Sequence, residues 1–288
     1  NKQYLPGFKL APKLSATTSM EEALSGAQMV VSAAPSQATR DVMSKAVPFM
    51  PHHVPIVSLA KGIENGTLLT VTEILESVLP EPHHPYISVL SGPSFAKEIM
   101  QKMPTAVSVA SHWDKVGLAV QEAFRTDYFR SYTSRDVVGV QLGGALKNVI
   151  AIAAGCADGM QCGHNTRAAL ITRGLAEIGR LAVKRGAHPM TLSGLAGMGD
   201  LVLTCTGELS RNRSVGFALG QGRTLKEILA ETKQVAEGVK TAISARELGQ
   251  KSGVEMPITE EIFAIVHQDK PVKLALQTLM TRAPSAEY

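Results

Sequence analysis

Residues 137–157 read VVGVQLGGALKNVIAIAAGCA, an apolar, glycine-punctuated run in which Lys147 is the only formal charge between Asp136 and Asp158. The run reads as one long helix. Burying an ammonium is costly unless partners offset the loss of water or the group gives up its proton. Lys147 therefore marks either an internal ion pair or a chemical site, and lysines whose pKa moves on burial recur as general acids and bases. A membrane span is the competing reading. A lysine at the middle of a span costs roughly 2.5 to 3.5 kcal/mol, and Gln141, Gly143, Gly144 and Asn148 weaken the run further. The run is assigned to a protein interior.

The hydrophobic period differs on the two sides of this helix. Towards the C-terminus there is almost no strand signal. Ile171, Leu175, Ile178 and Ala182 recur at helical spacing before a Gly186 and Pro189 stop signal, and Thr259–Phe263 and Lys273–Thr281 read as further helices. Towards the N-terminus, residues 28–33, 55–60, 86–91, 105–110 and 128–132 read as strands. Between them lie a helix with Ser36 as N-cap and Val42, Met43 and Val47 on one face, a second with Leu69, Ile74, Leu75 and Val78, and a third from Trp113 to Arg125. This alternation predicts parallel βαβ units in a doubly wound sheet, with the ligand crevice at the carboxyl ends of the strands. Those ends carry Pro35-Ser36-Gln37, Lys61-Gly62 and Ser91-Gly92-Pro93-Ser94. Each is a site candidate, and each is also what a plain βα turn uses. The division is therefore an α/β domain over residues 1–134 and an all-helical substrate and catalytic domain over 135–288.

A sheet that binds a dinucleotide opens with a strand and a G-x-G-x-x-G turn, whose amides meet the pyrophosphate. The chain instead opens with NKQYLPGFKLAPKL, which is loop-like. The first βαβ unit is expected to lie outside these residues, in a longer protein.

Composition narrows the partners. Apolar residues make up 44% of the 288 and charged residues 19%, as in ordinary globular proteins. A net charge of +4 comes from dispersed Lys and Arg interleaved with Asp and Glu, which favours a small anion over nucleic acid. Three cysteines cannot complete a disulfide framework, and a reducing compartment is expected. The spacing of Cys156, Cys162 and His164 is not that of a known zinc site, so no metal is expected. No signal peptide, membrane anchor or peroxisomal C-terminal address is read, and no membrane partner is expected.

Four polar clusters interrupt apolar or glycine-rich sequence: Lys61, Lys147-Asn148, Asp200 with Thr204 in GMGDLVLTC, and Arg211-Asn212 in SRNR. Asp200 begins an apolar helix, where it meets either free amides or a cation. Arg211 and Asn212 offer a planar fork and an amide suited to phosphate or carboxylate, although a solvated loop arginine reads the same way.

The strings PSQ (35–37), KG (61–62), SGPSFAKE (91–98), VGVQLGGALKNVIAIAAG (138–155), NTRAALITRGLAE (165–177), GLAGMGDLVLTC (194–205), SRNR (210–213), VAEG (235–238) and VEMPITEEI (254–262) closely resemble the bacterial-type NAD(P)-dependent glycerol-3-phosphate dehydrogenases. The chain is also similar to their trypanosomatid glycosomal versions. The resemblance covers essentially the whole chain and implies a Rossmann-like sheet domain, with NAD or NADP as cofactor. Its implied substrate pair is sn-glycerol 3-phosphate and dihydroxyacetone phosphate. Lys147 matches the family's catalytic base, and Lys61 matches a second lysine near nicotinamide and substrate. Asn148, Asp200 and Thr204 match residues around the substrate hydroxyls. Gly92 and Ser94 match a substrate loop, and Ser210, Arg211 and Asn212 match the phosphate end. Pro35, Lys61, Ala96, Arg211, Val235 and Glu237 match cofactor positions. A homodimer through the helical domain is implied, in the cytoplasm or, alternatively, in a glycosome.

The chemistry needs an acid to protonate the developing alkoxide as hydride reaches the keto carbon, and the same group as base in reverse. For Lys147 to serve, its pKa must fall from about 10.4 to roughly 7 to 8, on the order of 4 kcal/mol, through burial and the like charge of Lys61. A close Asp200 opposes that fall. Asp200 is therefore expected to orient Lys147, through water for instance, rather than form a tight bridge. A 6-phosphogluconate or 3-hydroxyacid-type dehydrogenase and a non-catalytic phosphometabolite binder are the alternatives.

Overall fold

The structure is a computed structural model and describes residues 5–231, 236–284 and 286. The first half alternates short helices and strands: α1 (Met20–Leu24), β1 (Val30–Ser32), α2 (Thr39–Ala46), β2 (Ile56–Ser58), α3 (Val71–Val78), β3 (Ile87–Ser91), α4 (Ala96–Met100), β4 (Thr105–Ala110), α5 (Asp114–Phe124) and β5 (Phe129–Ser134). The five strands form one sheet in the order β1-β2-β3-β4-β5. Ile56 and Val57 of β2 and Val107 and Val109 of β4 are fully buried, as expected of strands covered by helices on both faces.

The sheet corrects the expectation of uniformly parallel βαβ units at one joint. β1, β2 and β3 run parallel and so do β4 and β5, but β3 and β4 are antiparallel. The connection between them contains only α4, whose five residues advance about 7.5 Å, too little to carry the chain back along the sheet. A second correction concerns Ser36. It does not cap α2; it lies in a 3₁₀ turn, Ser36–Ala38, and the N-cap of α2 is Ala38. Gly62 packs against Ser36: a Cβ at Gly62 would lie 2.2 Å from Ser36 Oγ.

The second half is helical throughout its described residues: α6 (Val137–Gly159), α7 (Gly163–Lys184), α8 (Pro189–Leu192), a π-helical turn (Leu195–Gly199), α9 (Asp200–Thr206), α10 (Arg211–Gly220), α11 (Leu225–Glu231), α12 (Glu237–Ser252), α13 (Pro257–Gln268) and α14 (Val272–Met280). The side chain of Asp136 accepts from Gly139 N and caps α6. α6 is long and apolar enough to cross a membrane by composition, but 94% of its most apolar window is buried inside the protein. It is the axis around which the helical half packs. Gly155 and Gly159 of α6 meet Gly216 and Gly220 of α10, each pair four residues apart and so on one helix face. An added Cβ at Gly155 would reach 2.1 Å from Arg213 O, and one at Gly216 would reach 2.0 Å from Ile152 O, so the two backbones touch.

Candidate active site

Lys147 sits midway along α6, on the side facing the start of α9 and the carboxyl ends of β2 and β3. The residue is buried, at 6% relative exposure. The Nζ donates to Asp200 Oδ1 at 2.5 Å and to Thr204 Oγ1 at 2.7 Å, and the Thr204 hydroxyl in turn donates to the Asp200 carbonyl at 2.6 Å. Asp200 and Thr204 lie one turn apart on α9, so a single helix presents both. The other carboxylate oxygen, Asp200 Oδ2, accepts from Lys61 Nζ at 2.7 Å, and Lys61 also donates to the Gly92 carbonyl at 2.9 Å. Two ammonium groups, one from each half of the chain, thus share one buried carboxylate.

This arrangement corrects the expected distant Asp200. The bridge to Lys147 is direct and short, because the carboxylate must also balance Lys61. The Lys147 pKa is nevertheless lowered, to about 8. Burial is the largest cause, followed by the like charge of Lys61; Asp200 acts the opposite way and does not prevail. The reading of Asp200 as a mere helix cap does not hold, since its oxygens go to ammonium groups.

Backbone geometry brings these groups together. Gly144 lies one turn before Lys147, and a Cβ there would stand 2.6 Å from Ser91 Oγ and 3.5 Å from Lys61 Cγ, so the glycine leaves the path Lys61 takes across α6. Gly92 has φ +151°, and its own Cβ would strike Val107 Cα at 2.8 Å. Both conditions exclude a side chain, which is how the Gly92 carbonyl comes to face Lys61. Ser94 Oγ donates to the same carbonyl at 2.9 Å.

A second set of groups continues from Lys147 along α6. Asn148 Oδ1 accepts from Asn212 Nδ2 at 2.9 Å, and Asn212 Oδ1 accepts from Gly238 N at 2.9 Å. This chain of amides joins α6, α10 and α12. Ser210 is buried and caps α10 by accepting from Arg213 N, while Arg211 on the first turn is exposed. Glu237, half-buried at the start of α12, has its pKa raised by burial, against the lowering effects of Arg211 and of the Ser36 backbone. Pro35 follows β1 and turns the chain into the Ser36–Ala38 segment. Ala96 begins α4 and is exposed. Val235 lies outside the described residues.

One residue of a strand end already named, Ser91, and one not singled out from the sequence, Thr241, also contribute. Among the described residues, the buried hydroxyls of Ser91 and Thr241 have no hydrogen-bond partner, Ser91 beside Lys61 and Gly144, Thr241 beside Gly62. A buried hydroxyl without a partner is hydrogen-bonding capacity left unfilled, here beside Lys61 and Gly62. The 288 residues contain no G-x-G-x-x-G. Gly144 carried a readable signal, a helical glycine three residues from a buried lysine. Ser91 was legible only as part of the strand-end candidate Ser91-Gly92-Pro93-Ser94, and Thr241 carried no signal.

Comparison with known proteins adds an independent line. The profile described as NAD-dependent glycerol-3-phosphate dehydrogenase N-terminus matches residues 1–116, and that described as the C-terminus of the same enzyme matches residues 136–277. A glycerol-3-phosphate dehydrogenase [NAD(P)+] of Myxococcus xanthus is 63% identical over the whole chain, which spans 86% of that relative. One of Leptospira biflexa is 53% identical over 98% of the chain and 85% of its own length. A crystal structure of glycerol-3-phosphate dehydrogenase from Coxiella burnetii superposes with a TM-score of 0.93 at 38% identity, covering 98% of this chain and 86% of that one.

Proposed function

The chain belongs to the NAD-dependent glycerol-3-phosphate dehydrogenase family, and from that premise we propose that Lys147 is the proton donor and acceptor of its reaction, with Lys61 and Asp200 as its immediate partners. The enzyme interconverts sn-glycerol 3-phosphate and dihydroxyacetone phosphate with NAD(P). NAD(P), when bound, would provide the hydride chemistry at the substrate's central carbon. As the keto oxygen becomes an alkoxide, the Lys147 ammonium gives it a proton and is left as a neutral amine; in the oxidative direction the amine takes the hydroxyl proton. With a pKa of about 8, Lys147 can hold either state near neutral pH at modest cost.

Asp200 keeps the pair of lysines from repelling each other apart, and Thr204 fixes the direction of the Lys147 amine. Lys61 is proposed to hydrogen-bond the substrate, a reading supported by its being more exposed than Lys147. Arg211 and Asn212 are proposed to hold the phosphate, a remote grip that fixes the reacting carbon. Gly92, Ser94, Asn148 and Ser210 shape the substrate's surroundings. Pro35, Ala96, Val235 and Glu237 are proposed on the cofactor side. We place the domain boundary at residue 134, where β5 ends before α6 begins. The bacterial relatives favour the cytoplasm over a glycosome, and a homodimer through the helical half is proposed from the family resemblance.

The carrying observation is the buried Lys147 amine at the junction of the two halves, bonded to a carboxylate that it shares with Lys61. The test is the loss of NADH absorbance with dihydroxyacetone phosphate. Turnover that collapses in Lys147→Ala while substrate binding is partly kept supports the assignment. Near-parental turnover in that variant contradicts it.

A further inference from the structure

Three of the four groups in the ion cluster are set by one half of the molecule. Lys147, Asp200 and Thr204 come from α6 and α9, which pack on each other. Lys61 alone comes from the sheet half, 139 residues from Asp200 in the chain. Something must hold it there.

Lys61 lies two residues before Ile63, at one leg of a closed turn. Ile63 and Thr70 form an isolated antiparallel bridge, Glu64 N donates to Leu69 O at 2.9 Å, and Leu68 N donates to Glu64 O at 2.9 Å. Two buried polar side chains of the helical half hold this segment, one at the first leg of the turn and one at the start of α3, which follows its second leg. Ser244 Oγ of α12 donates to Ile63 O at 3.0 Å. Gln141 of α6 accepts from Thr72 N through Oε1 at 2.9 Å and donates from Nε2 to Thr72 Oγ1 at 2.8 Å. Gln37 also donates to Ile63 O, at 2.7 Å, but from within the sheet half, so it does not relate the two halves. An amide in the apolar α6 carries a desolvation cost that a well-packed leucine would not, and such groups specify a unique arrangement more than they add stability. Gln141 lies six residues before Lys147 on the same rigid helix, a rise of about 9 Å.

We propose that Gln141 and Ser244 are positioning residues that hold the Lys61 turn against the helical half, so that Lys61 stays on the carboxylate it shares with Lys147. The proposal rests on the acid–base reading of Lys147 for its effect on turnover, but not for its effect on geometry. The groups acting on Lys147 are Asp200, Thr204 and Cys205 from α9 and Lys61 from the turn, with Glu237 of α12 farther off. Among these, the like charge of Lys61 comes from the sheet half. Releasing the turn withdraws that charge and admits water, and both changes raise the Lys147 titration midpoint.

The experiment follows the side-chain resonance of Lys147 in isotope-labelled lysine samples across pH, assigned by its loss in Lys147→Arg. The variants are Gln141→Met, Ser244→Ala, their combination, and Thr72→Val with Thr72→Ser. The combined variant is expected to move the midpoint up by about one pH unit, with smaller upward moves in each single variant and in Thr72→Val, and parental behaviour in Thr72→Ser. Turnover with dihydroxyacetone phosphate is expected to fall about tenfold in the combined variant, with its KM little changed because the phosphate grip lies in the helical half. A midpoint that stays parental while turnover falls shows a merely structural effect and overturns the proposal, as does Thr72→Ser shifting as far as Thr72→Val. If the combined variant does not fold, the single variants are read by the same criterion. A parent that titrates near 8 but does not reduce dihydroxyacetone phosphate overturns the acid–base reading alone.

Discussion

Asp200 and Glu177 are equally buried carboxylates in the helical half, each at 1% relative exposure, yet they are neutralised in different ways. Asp200 accepts from two ammonium groups, at 2.5 and 2.7 Å. Glu177 accepts from the backbone amides of Ile258 and Thr259, each at 2.9 Å, and from the Thr259 hydroxyl at 2.6 Å. It therefore ties α7 to the first turn of α13, where free amides and the helix dipole favour an anion. Backbone amides hold a charge in place but exchange no proton on the timescale of turnover; an ammonium with a lowered pKa does. Burial of a carboxylate is thus no sign of chemistry by itself. The partner decides.

The comparison breaks first at Lys147. Lys147→Ala should cut turnover about 10³-fold, whereas Glu177→Gln should leave turnover near parental, both read by NADH oxidation with dihydroxyacetone phosphate. A larger loss in Glu177→Gln would erase the distinction. Asp200→Asn comes next, because it strands two ammonium groups. We expect about 3 to 5 kcal/mol of lost stability in urea unfolding, against about 1 to 3 kcal/mol for Glu177→Gln, which leaves a donor mispaired.

Opposite pH slopes sharpen the contrast. Lys147 has a folded pKa of about 8, below its ordinary 10.5, so the folded state binds fewer protons between those values. The parent should gain stability on Lys147→Met as pH rises from about 8 to 10.5, by up to about 3 kcal/mol. Glu177 has its pKa raised above 4.5, mainly by burial. The parent should therefore lose stability relative to Glu177→Gln as pH rises above 4.5. Slopes of the same sign would contradict the account. The smallest expected effect is at exposed Arg211, where Arg211→Ala should raise the KM for dihydroxyacetone phosphate roughly tenfold or more, with much less harm to NADH binding.

Much of this was legible because charge in an apolar run has few explanations. Lys147 and Asp200 stood out that way, and Lys61 stood out at a strand end. The direct sharing of Asp200 was not legible, since it joins residues 53 and 139 positions apart along the chain. The α/β-to-helical change of period was also readable. The antiparallel β3–β4 joint was not, because strand period says nothing of direction and only the brevity of α4 decides it. Ser36 looked like a cap because the 3₁₀ turn before α2 leaves no local mark. Gln141 was read only as weakening an apolar run, and its partner, Thr72, is 69 residues away.

The central claim is most directly tested by the pH dependence of kcat/KM in both directions, which reports the unliganded site. Reduction of dihydroxyacetone phosphate needs Lys147 protonated and should fall as pH rises through about 8; oxidation of glycerol 3-phosphate needs it neutral and should rise through the same region. Two opposed limbs with a shared midpoint, both lost in Lys147→Ala, are the predicted result. Parallel limbs, or limbs that persist in that variant, would show that the proton travels by another group.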